Sequence, residues 1–355
     1  MSVTIDSPDR ATPARAATTL MHREAAEAGA SVARLLHDNA DVFVTLAQRL
    51  RADPPAVVVT CARGSSDHAA TYGKYLLETL VGVPVASAAP SVSSVYAAPV
   101  AAGSALCIAV SQSGHSPDLL ATVKAQAEAG ADVVALVNDE ASPLAQMADI
   151  LIGLKAGPET SVAATKSYIT ALAGFAAIAA GWSQDEALAT ALQGLPAQLD
   201  AAFELDWTGV ADTLVAANNL FVIGRGYGYG VAQEAALKLK ETCALHAEAF
   251  SSAEVRHGPM AIVNDGFPLI AFATSDTAGD GVRKVAAEFA ERGAVVNLVD
   301  ASAPLSHAPA AIGAHPALEP ILMIQSFYRM ANMLSLRRGL NPDVPPHLSK
   351  VTSTL

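Results

Sequence analysis

The order of local features in the first half of this sequence recurs in the second half at an almost constant offset. The repeated pairs are Arg63-Gly64 with Arg225-Gly226, Glu78-Thr79 with Glu241-Thr242, Ser111 with Thr274, and Ala129-Gly130-Ala131 with Arg292-Gly293-Ala294. The first pair is separated by 162 residues and the other three by 163 residues. This agreement predicts two tandem copies of one folding unit.

Each copy alternates short apolar runs, typical of buried strands, with amphipathic stretches, typical of helices. In the first copy we predict strands at residues 56–61, 83–87, 105–110, 133–137 and 149–154, and helices at residues 69–80, 118–129 and 169–180. Strands that alternate with helices favour a parallel sheet with helices on both faces. The predicted fold class is therefore α/β, with one such sheet in each copy.

The ends of these patterns divide the chain into five predicted parts. They are an N-terminal tail and helix at residues 1–48, a first domain at 49–189, a helical linker at 190–210, a second domain at 211–346 and a C-terminal tail at 347–355. The helical pattern that joins the two copies extends from residue 184 to residue 203. Each copy then has the size of an ordinary globular domain.

The charge and the apolar pattern exclude several classes of function. The net charge is -12 and the sequence has no run of Lys and Arg, whereas nucleic-acid-binding proteins usually carry a basic patch. The longest apolar stretch, residues 169–182, is shorter than the ~20 residues that span a bilayer. The first residues also lack the pattern of a secretory signal. We therefore expect a cytoplasmic protein that binds neither nucleic acid nor membrane.

The sequence also predicts no metal and no cofactor. Cys61, Cys107 and Cys243 lie in apolar runs, so we expect buried free thiols in a reducing compartment. There is no Cys-x-x-Cys or His-Glu-x-x-His motif that would indicate a metal site. The glycine-rich segment at residues 224–230 has Tyr229 where a dinucleotide fingerprint requires its third glycine.

One loop has the features of a phosphate site. The segment Ser111-Gln112-Ser113-Gly114-His115-Ser116-Pro117-Asp118 runs from the carboxyl end of a predicted strand into a helix, and ligands of doubly wound sheets bind at that edge. Ser116 suits the N-cap, Pro117 the first helical position and Asp118 the first turn. The helix N-terminus would then offer unpaired N–H groups to an anion. An ordinary capped helix with a polar loop is the alternative.

Together with this loop, two further segments resemble a known family. They are EAALKLKETCALHAEAFSSAEVRHGPM at residues 234–260 and HLSKVT at residues 347–352. The sequence from about residue 20 to residue 355 is similar to the sugar-isomerase half of the glutamine:fructose-6-phosphate amidotransferases. That half consists of tandem sugar-isomerase (SIS) domains. The resemblance implies two flavodoxin-like SIS domains and a hexose 6-phosphate substrate.

The resemblance also implies a role for each residue that matches the motifs of the family. The contacts to phosphate and sugar hydroxyls match Gly64, Ser65, Ser66, Ser111, Gln112, Ser113 and Ser116. Val162 matches a backbone contact to the sugar, and Lys238 matches a lysine of the catalytic helix that contacts substrate. Glu241 matches the carboxylate that transfers the proton. His257 matches a ring-opening histidine from the partner subunit, and Lys350 matches a tail lysine beside the sugar carbonyl.

Three positions depart from the pattern of the amidotransferases. Arg63 stands where they have a cysteine, Ala164 where they have a serine, and His115 where they have an acidic residue. The chain also begins Met1-Ser2, without the N-terminal cysteine nucleophile of the glutaminase half. We therefore expect no hydrolysis of glutamine.

The chemistry of a proton transfer between C1 and C2 of a sugar fits these residues independently. It needs one base on one face of the substrate, and a partly buried carboxylate is suited to that role. Glu241 shares a helix face with Glu234 and Lys238, although a solvated salt-bridged stripe would have the same spacing. His257 can protonate a ring oxygen near neutral pH, and the amine of Lys350 can approach a carbonyl. The alternatives are a surface histidine and a frayed lysine.

The expected activity is that of an isomerising glucosamine-6-phosphate deaminase. It would convert glucosamine 6-phosphate and water to fructose 6-phosphate and ammonia, in a homodimer with composite active sites. Two enzymatic alternatives are a deglycase of a 6-phosphorylated fructosyl-amine and a galactosamine-6-phosphate deaminase or isomerase. A sugar-phosphate sensor is an alternative of another class, and it predicts loss of the acid–base residues.

Overall fold

The fold was obtained as a computed structural model, which describes residues 16–101, 103–303, 308–310 and 315–350. Most of the predicted N-terminal tail and the last five residues of the predicted C-terminal tail lie outside the described residues. The described chain contains two parallel sheets with helices packed on them, and this confirms the predicted α/β class.

The first half contains three helices followed by a doubly wound sheet. Its elements are α1 (Leu20–Ala26), α2 (Ala28–Asp38), α3 (Ala40–Ala52), β1 (Val57–Cys61), α4 (Ser65–Leu76), β2 (Val85–Ser87), α5 (Pro90–Ser94), β3 (Ala105–Ser111), α6 (Pro117–Glu128), β4 (Asp132–Val137), α7 (Pro143–Met147), β5 (Ile150–Gly153) and α8 (Lys166–Ser183). A π-helical turn, Leu77–Val81, extends α4. The strands are parallel in the flavodoxin-like order β2-β1-β3-β4-β5, and all five predicted strands are present.

The second half repeats this arrangement after a connecting helix. Its elements are α9 (Glu186–Phe203), α10 (Thr208–Leu214), β6 (Asn219–Gly224), α11 (Gly228–Cys243), β7 (His246–Ser251), two 3₁₀ turns (Glu254–Arg256 and Pro259–Ile262), β8 (Pro268–Ala273), α12 (Thr277–Glu291), β9 (Val295–Asp300) and α13 (Glu319–Arg337). The strand order is β7-β6-β8-β9. In the place of β5, the described part of this sheet has one isolated parallel bridge, between Val299 of β9 and Ala308.

The structure confirms the internal duplication. The shared part of the two sheets has the same strand order, with β6, β7, β8 and β9 in the places of β1, β2, β3 and β4. Gly130 and Gly293 follow α6 and α12 with φ values of 91° and 85°. This left-handed conformation favours glycine and ends each helix at the corresponding point.

The strands are buried on both faces, as the apolar runs predicted. Alternate residues of β3 and β4 point to opposite faces: Ile108 and Leu136 belong to one core, whereas Cys107 and Val133 belong to another. The first of these cores also contains Val222 of β6, so it is shared by the two domains. Helix α4 of the first domain packs against α11 of the second. The shared core thereby fixes α11 beside the first sheet.

The apolar stretch at residues 169–182 forms most of α8, which is buried between its neighbours. Among the described residues, no helix is long and apolar enough to cross a membrane. All three cysteines are buried free thiols, as predicted. The long apolar stretch and the three cysteines thus lie in the interior of the protein.

Candidate active site

A cleft of about 350 Å³ opens beyond the carboxyl ends of β1 and β3, a volume within the usual range of small-molecule sites. Its wall contains ten of the twelve predicted site residues. These are Gly64, Ser65, Ser66, Ser111, Gln112, Ser113, Ser116, Val162, Glu241 and Lys350. The structure therefore brings together residues from the first domain, from α11 of the second domain and from the C-terminal tail.

The loop between β3 and α6 is shaped by close backbone contacts. The N–H of Gly114 donates to Ser111 Oγ at 2.9 Å, so this hydroxyl holds the loop in a tight turn. Gly114 has φ 67°, and a Cβ at this position would lie 2.2 Å from Ser142 Oγ. A side chain cannot fit there, so glycine is required for the loop to approach the cleft.

The N-terminus of α6 faces this cleft with the predicted arrangement. Ser116 is the N-cap and Pro117 is the first helical residue, but the Ser116 hydroxyl makes no capping hydrogen bond. The first turn of a helix has N–H groups without intrahelical partners, and they favour an anion. Because Ser113 and Ser116 both line the cleft, their hydroxyls can join these N–H groups around a phosphate.

The corresponding loop of the second domain is occupied by its own carboxylate. Asp276, which is 163 residues after Ser113, accepts hydrogen bonds from Ala278 N at 3.1 Å and Gly279 N at 3.2 Å. Thr274 Oγ1 also donates to Asp276 at 2.6 Å. The first turn of α12 is therefore already satisfied by an internal anion. The first loop has Ser113 at the corresponding position, and in the first turn of α6 the N–H of Leu119 donates to Asp118 Oδ1 at 2.8 Å.

A cation stands beside the phosphate loop. Arg63 Nε and one terminal nitrogen lie 2.8 Å and 2.7 Å from Asp118 Oδ2, and the Asp118 side chain is fully buried in the first turn of α6. Both nitrogens bind the same carboxylate oxygen, and this charge-assisted pair fixes the guanidinium at the cleft wall. Arg63 and Lys350 are the cations among the lining residues and Glu241 is the anion, and each of the two cations already pairs with a buried carboxylate, Asp118 or Glu159.

Helix α11 carries a buried charge network. Lys238 Nζ lies 2.6 Å from Glu241 Oε2, 3.2 Å from Glu234 Oε1 and 2.9 Å from Ser65 Oγ. The side chains of Glu234 and Lys238 are 0% and 1% exposed, so the alternative of a solvated stripe is wrong. Glu234 also contacts His68 and Tyr328, at 3.1 Å each. These contacts anchor Lys238 against the carboxylate that lines the cleft.

Burial and charge act in opposite directions on this network. Burial by itself raises the pKa of Glu234, but Lys238 and His68 outweigh it and lower the pKa below the usual value. Burial likewise lowers the pKa of Lys238, but Glu234 and Glu241 outweigh it and raise the pKa. Glu234 is therefore a fixed anion and Lys238 a fixed cation at neutral pH.

Asp343 and Lys350 hold the segment that leads into the C-terminal tail, and residues 348–350 line the cleft. The Asp343 carboxylate accepts hydrogen bonds from Leu20 N and Met21 N, each at 2.8 Å, at the start of α1. The Asp343 carbonyl accepts the N–H of Val162 at 3.2 Å. At the end of the described chain, Lys350 Nζ lies 3.3 Å from Glu159 Oε2. The ion pair argues against a frayed terminal lysine.

Two predicted residues do not line the cleft. Lys238 lies behind the wall, where it contacts Ser65 and Glu241 rather than the cavity. His257 is exposed, between the two 3₁₀ turns, and its N–H donates to the Glu254 carbonyl. Its role in a composite site therefore stays a prediction. The N–H of Val162 is bonded to Asp343, so a backbone contact to a sugar would use the Val162 carbonyl.

Sequence reasoning did not identify Glu159 and His68 as parts of this site, and it placed Glu234 only on the helix face of Glu241 and Lys238. Glu159 and Glu234 are charged residues within apolar or small-residue segments, and burial of their charges is visible only in the folded chain. Asp276 could have been found from the sequence, because it lies at the repeat offset from Ser113. A comparison of the two copies position by position would have shown a carboxylate, Asp276, in the second loop where the first loop has Ser113.

The sequence profile of the SIS domain matches residues 56–180 and 213–312 of this chain. Among characterised sequences, the isomerizing glutamine–fructose-6-phosphate aminotransferase of Symbiobacterium thermophilum is 33% identical over 339 residues. The alignment covers 88% of this chain and 55% of that protein. The chain thus spans about half the length of the curated relatives that it matches.

Solved structures give the same relationship. A protein of Silicibacter pomeroyi DSS-3, whose name assigns it as a phosphosugar isomerase, superimposes with a TM-score of 0.86 at 44% identity, covering 92% of this chain and 100% of that one. The C-terminal domain of the Francisella tularensis glucosamine-fructose-6-phosphate aminotransferase shares the fold, with a TM-score of 0.80 at 24% identity over 92% of this chain and 98% of that one. The two profile matches cover more than half of the chain, which therefore belongs to the SIS domain family and contains two SIS domains in tandem.

Proposed function

We propose that this protein is a sugar-phosphate isomerase of the SIS type, and specifically an isomerising glucosamine-6-phosphate deaminase. The observation that carries the proposal is the convergence of a phosphate loop, a carboxylate and a lysine on one cleft of about 350 Å³. A hexose 6-phosphate bound by its phosphate at Ser113 and Ser116 extends its carbon chain toward Glu241 and Lys350. These are the groups that an aldose–ketose conversion needs.

In the proposed reaction, His257 of a second subunit protonates the ring oxygen of glucosamine 6-phosphate, and the sugar opens to its aldehyde. Glu241 removes the proton from C2 and returns it to C1, while the C1 oxygen gains a proton and the amine loses one, so that C1 becomes an alcohol and C2 an imine. Water adds to C2 and ammonia leaves, which yields fructose 6-phosphate. No oxidant or reductant is consumed.

The observed contacts suit Glu241 to this task. Lys238 binds one carboxylate oxygen of Glu241, Oε2, and so fixes the side chain in one rotamer while the other oxygen is available to the substrate. The Glu241 side chain is 23% exposed, which leaves it accessible from the cleft. A base held in place in this way needs no reorganisation when the sugar binds.

The first prediction concerns the nitrogen product. We expect the purified chain to release one ammonia and form one fructose 6-phosphate for each glucosamine 6-phosphate consumed, and not to convert glutamine to glutamate. Coupled assays for ammonia and fructose 6-phosphate measure both products. Turnover of only a 6-phosphorylated fructosyl-amine would establish the deglycase alternative, and turnover of only galactosamine 6-phosphate the epimer-specific one. Binding without any turnover would establish a sensor.

The second prediction concerns the phosphate loop. Ser113→Ala removes one donor to a charged phosphate, which should weaken sugar-phosphate binding by roughly tenfold or more. Ser113→Asp copies the residue that occupies the second loop, Asp276, and should abolish that binding. Calorimetric titration with fructose 6-phosphate and with unphosphorylated fructose measures the difference. Equal losses for the two sugars would contradict a role of this loop in holding phosphate.

A further inference from the structure

Glu159 is a buried carboxylate in the segment between β5 and α8, and its side chain has 0% exposure. One of its oxygens accepts the N–H groups of Thr165 and Ser167, at 2.9 Å and 3.1 Å. The other accepts the hydroxyl of Ser167 at 2.6 Å. Burying a carboxylate is unfavourable unless donors and an opposite charge compensate for lost water, so the position of its counter-charge is informative.

That counter-charge is Lys350, whose Nζ lies 3.3 Å from Glu159 Oε2 and which lines the cleft from the C-terminal tail. Burial by itself raises the pKa of Glu159, but Lys350 and the Ser167 and Thr165 donors outweigh it and lower the pKa. Glu159 therefore stays charged from neutral pH down to acidic pH. With its oxygens already bonded to these donors, it is placed to hold a cation rather than to transfer a proton.

We propose that Glu159 is a positioning residue that holds the Lys350 ammonium in the cleft and, with it, the C-terminal tail over the bound sugar. An ammonium group has three N–H donors. One directed at Glu159 leaves two for the oxygens of an open-chain sugar. The role toward the sugar rests on the proposed function, whereas the role in holding the tail is independent of it.

The competing explanation is that Glu159 only shapes its own loop, and Glu24 provides a matched control for it. Glu24 on α1 is also a buried carboxylate, with 6% residue exposure. It accepts hydrogen bonds from Thr160 N at 2.6 Å and from Ser161 N at 3.2 Å, in the same loop. Lys350 pairs with Glu159 and not with Glu24. If Glu159 acted only by shaping this loop, then replacing Glu159 and replacing Glu24 should have the same effect.

The experiment compares Glu159→Gln, Glu24→Gln, Lys350→Gln and the double variant of Glu159 and Lys350. Glutamine keeps an acceptor oxygen for the loop N–H groups, so the fold should be retained, and thermal melting of each variant checks this. Glu159→Asp keeps the charge but shortens the side chain, and it should restore part of any function lost in Glu159→Gln.

The rate of tryptic cleavage after Lys350 measures how accessible that side chain is, because trypsin must bind the side chain before it cleaves. We expect cleavage after Lys350 to be about tenfold faster in Glu159→Gln than in the unmodified protein, since a hydrogen bond to a charged group shifts a local equilibrium by roughly this factor. Cleavage in Glu24→Gln should stay within about twofold. Mass spectrometry of the released C-terminal peptide gives the rates without any substrate.

The kinetic arm uses glucosamine 6-phosphate. If Glu159 acts through Lys350, Glu159→Gln should lower kcat/KM, and the double variant should be no slower than Lys350→Gln alone, within about twofold. The proposal would be overturned if the losses of kcat/KM in the two single variants multiplied in the double variant. It would also be overturned if tryptic cleavage after Lys350 were unchanged in Glu159→Gln, or were accelerated equally in Glu24→Gln. If the unmodified protein does not turn over glucosamine 6-phosphate, the proposed function fails while the tryptic arm still decides the role of Glu159.

Discussion

Replacement of Glu241 by glutamine is expected to lower kcat for glucosamine 6-phosphate by roughly 10²–10⁴-fold while KM changes little. The substitution keeps the shape of the side chain and an oxygen that can accept from Lys238, which lies 2.6 Å from the carboxylate in the native chain. Lys238 also keeps its buried partner Glu234, so the helix should remain folded. What is lost is the base that takes the proton from C2.

Steady-state kinetics and calorimetric binding of fructose 6-phosphate measure the two effects separately. Lys240→Gln is the matched control, because Lys240 is the exposed neighbour of Glu241 on the same helix, and its kcat should stay within about twofold. Unchanged turnover in Glu241→Gln would show that this carboxylate is a structural partner of Lys238 and not the base.

Mixing two inactive variants is expected to restore about a quarter of the native activity. His257→Ala and Glu241→Gln should each be nearly inactive alone, because His257 lies outside the cleft of its own chain and is proposed to act in the partner's. Random reassociation makes half of the dimers heterodimers. Each of these contains one intact site and one doubly altered site, so half of its activity returns.

Subunit exchange must be shown in the same samples, for example by mass spectrometry of chains carrying different isotopes. Mixing two preparations of the same variant is the control, and it should restore nothing. If the heterodimers form and remain inactive, then His257 either acts within its own chain or has no role in ring opening. A protein that is monomeric at assay concentration would contradict the composite site directly.

The fold could be predicted from the local pattern of apolar residues because the burial of these residues stabilises the strands and helices. Buried parallel strands need apolar residues on both faces, and the runs that became β3 and β4 contribute alternate residues to two separate cores. The repeat offset then required the second half to adopt the same strand order. The four strands of the second sheet follow the first sheet in this way.

The candidate site could be predicted from the sequence only where its residues lie in one continuous segment. The phosphate loop is contiguous, so its serines, its glycine and its helix start could be read together. By contrast, Arg63 and Asp118 are 55 residues apart and Glu159 and Lys350 are 191 apart. Such pairs depend on how the segments are packed in three dimensions, and no spacing in one sequence encodes them.

The return of the C-terminal tail to the first domain has a consequence for the timing of biosynthesis. At about 5–20 residues per second, the ribosome adds Lys350 roughly 10–40 s after Glu159, since the two are 191 residues apart. During that interval the nascent first domain has its phosphate loop but not the lysine of its cleft, and Glu159 has no counter-charge. A nascent chain that stops before Lys350 therefore lacks this ion pair, and under the proposed function it should bind sugar phosphates without converting them.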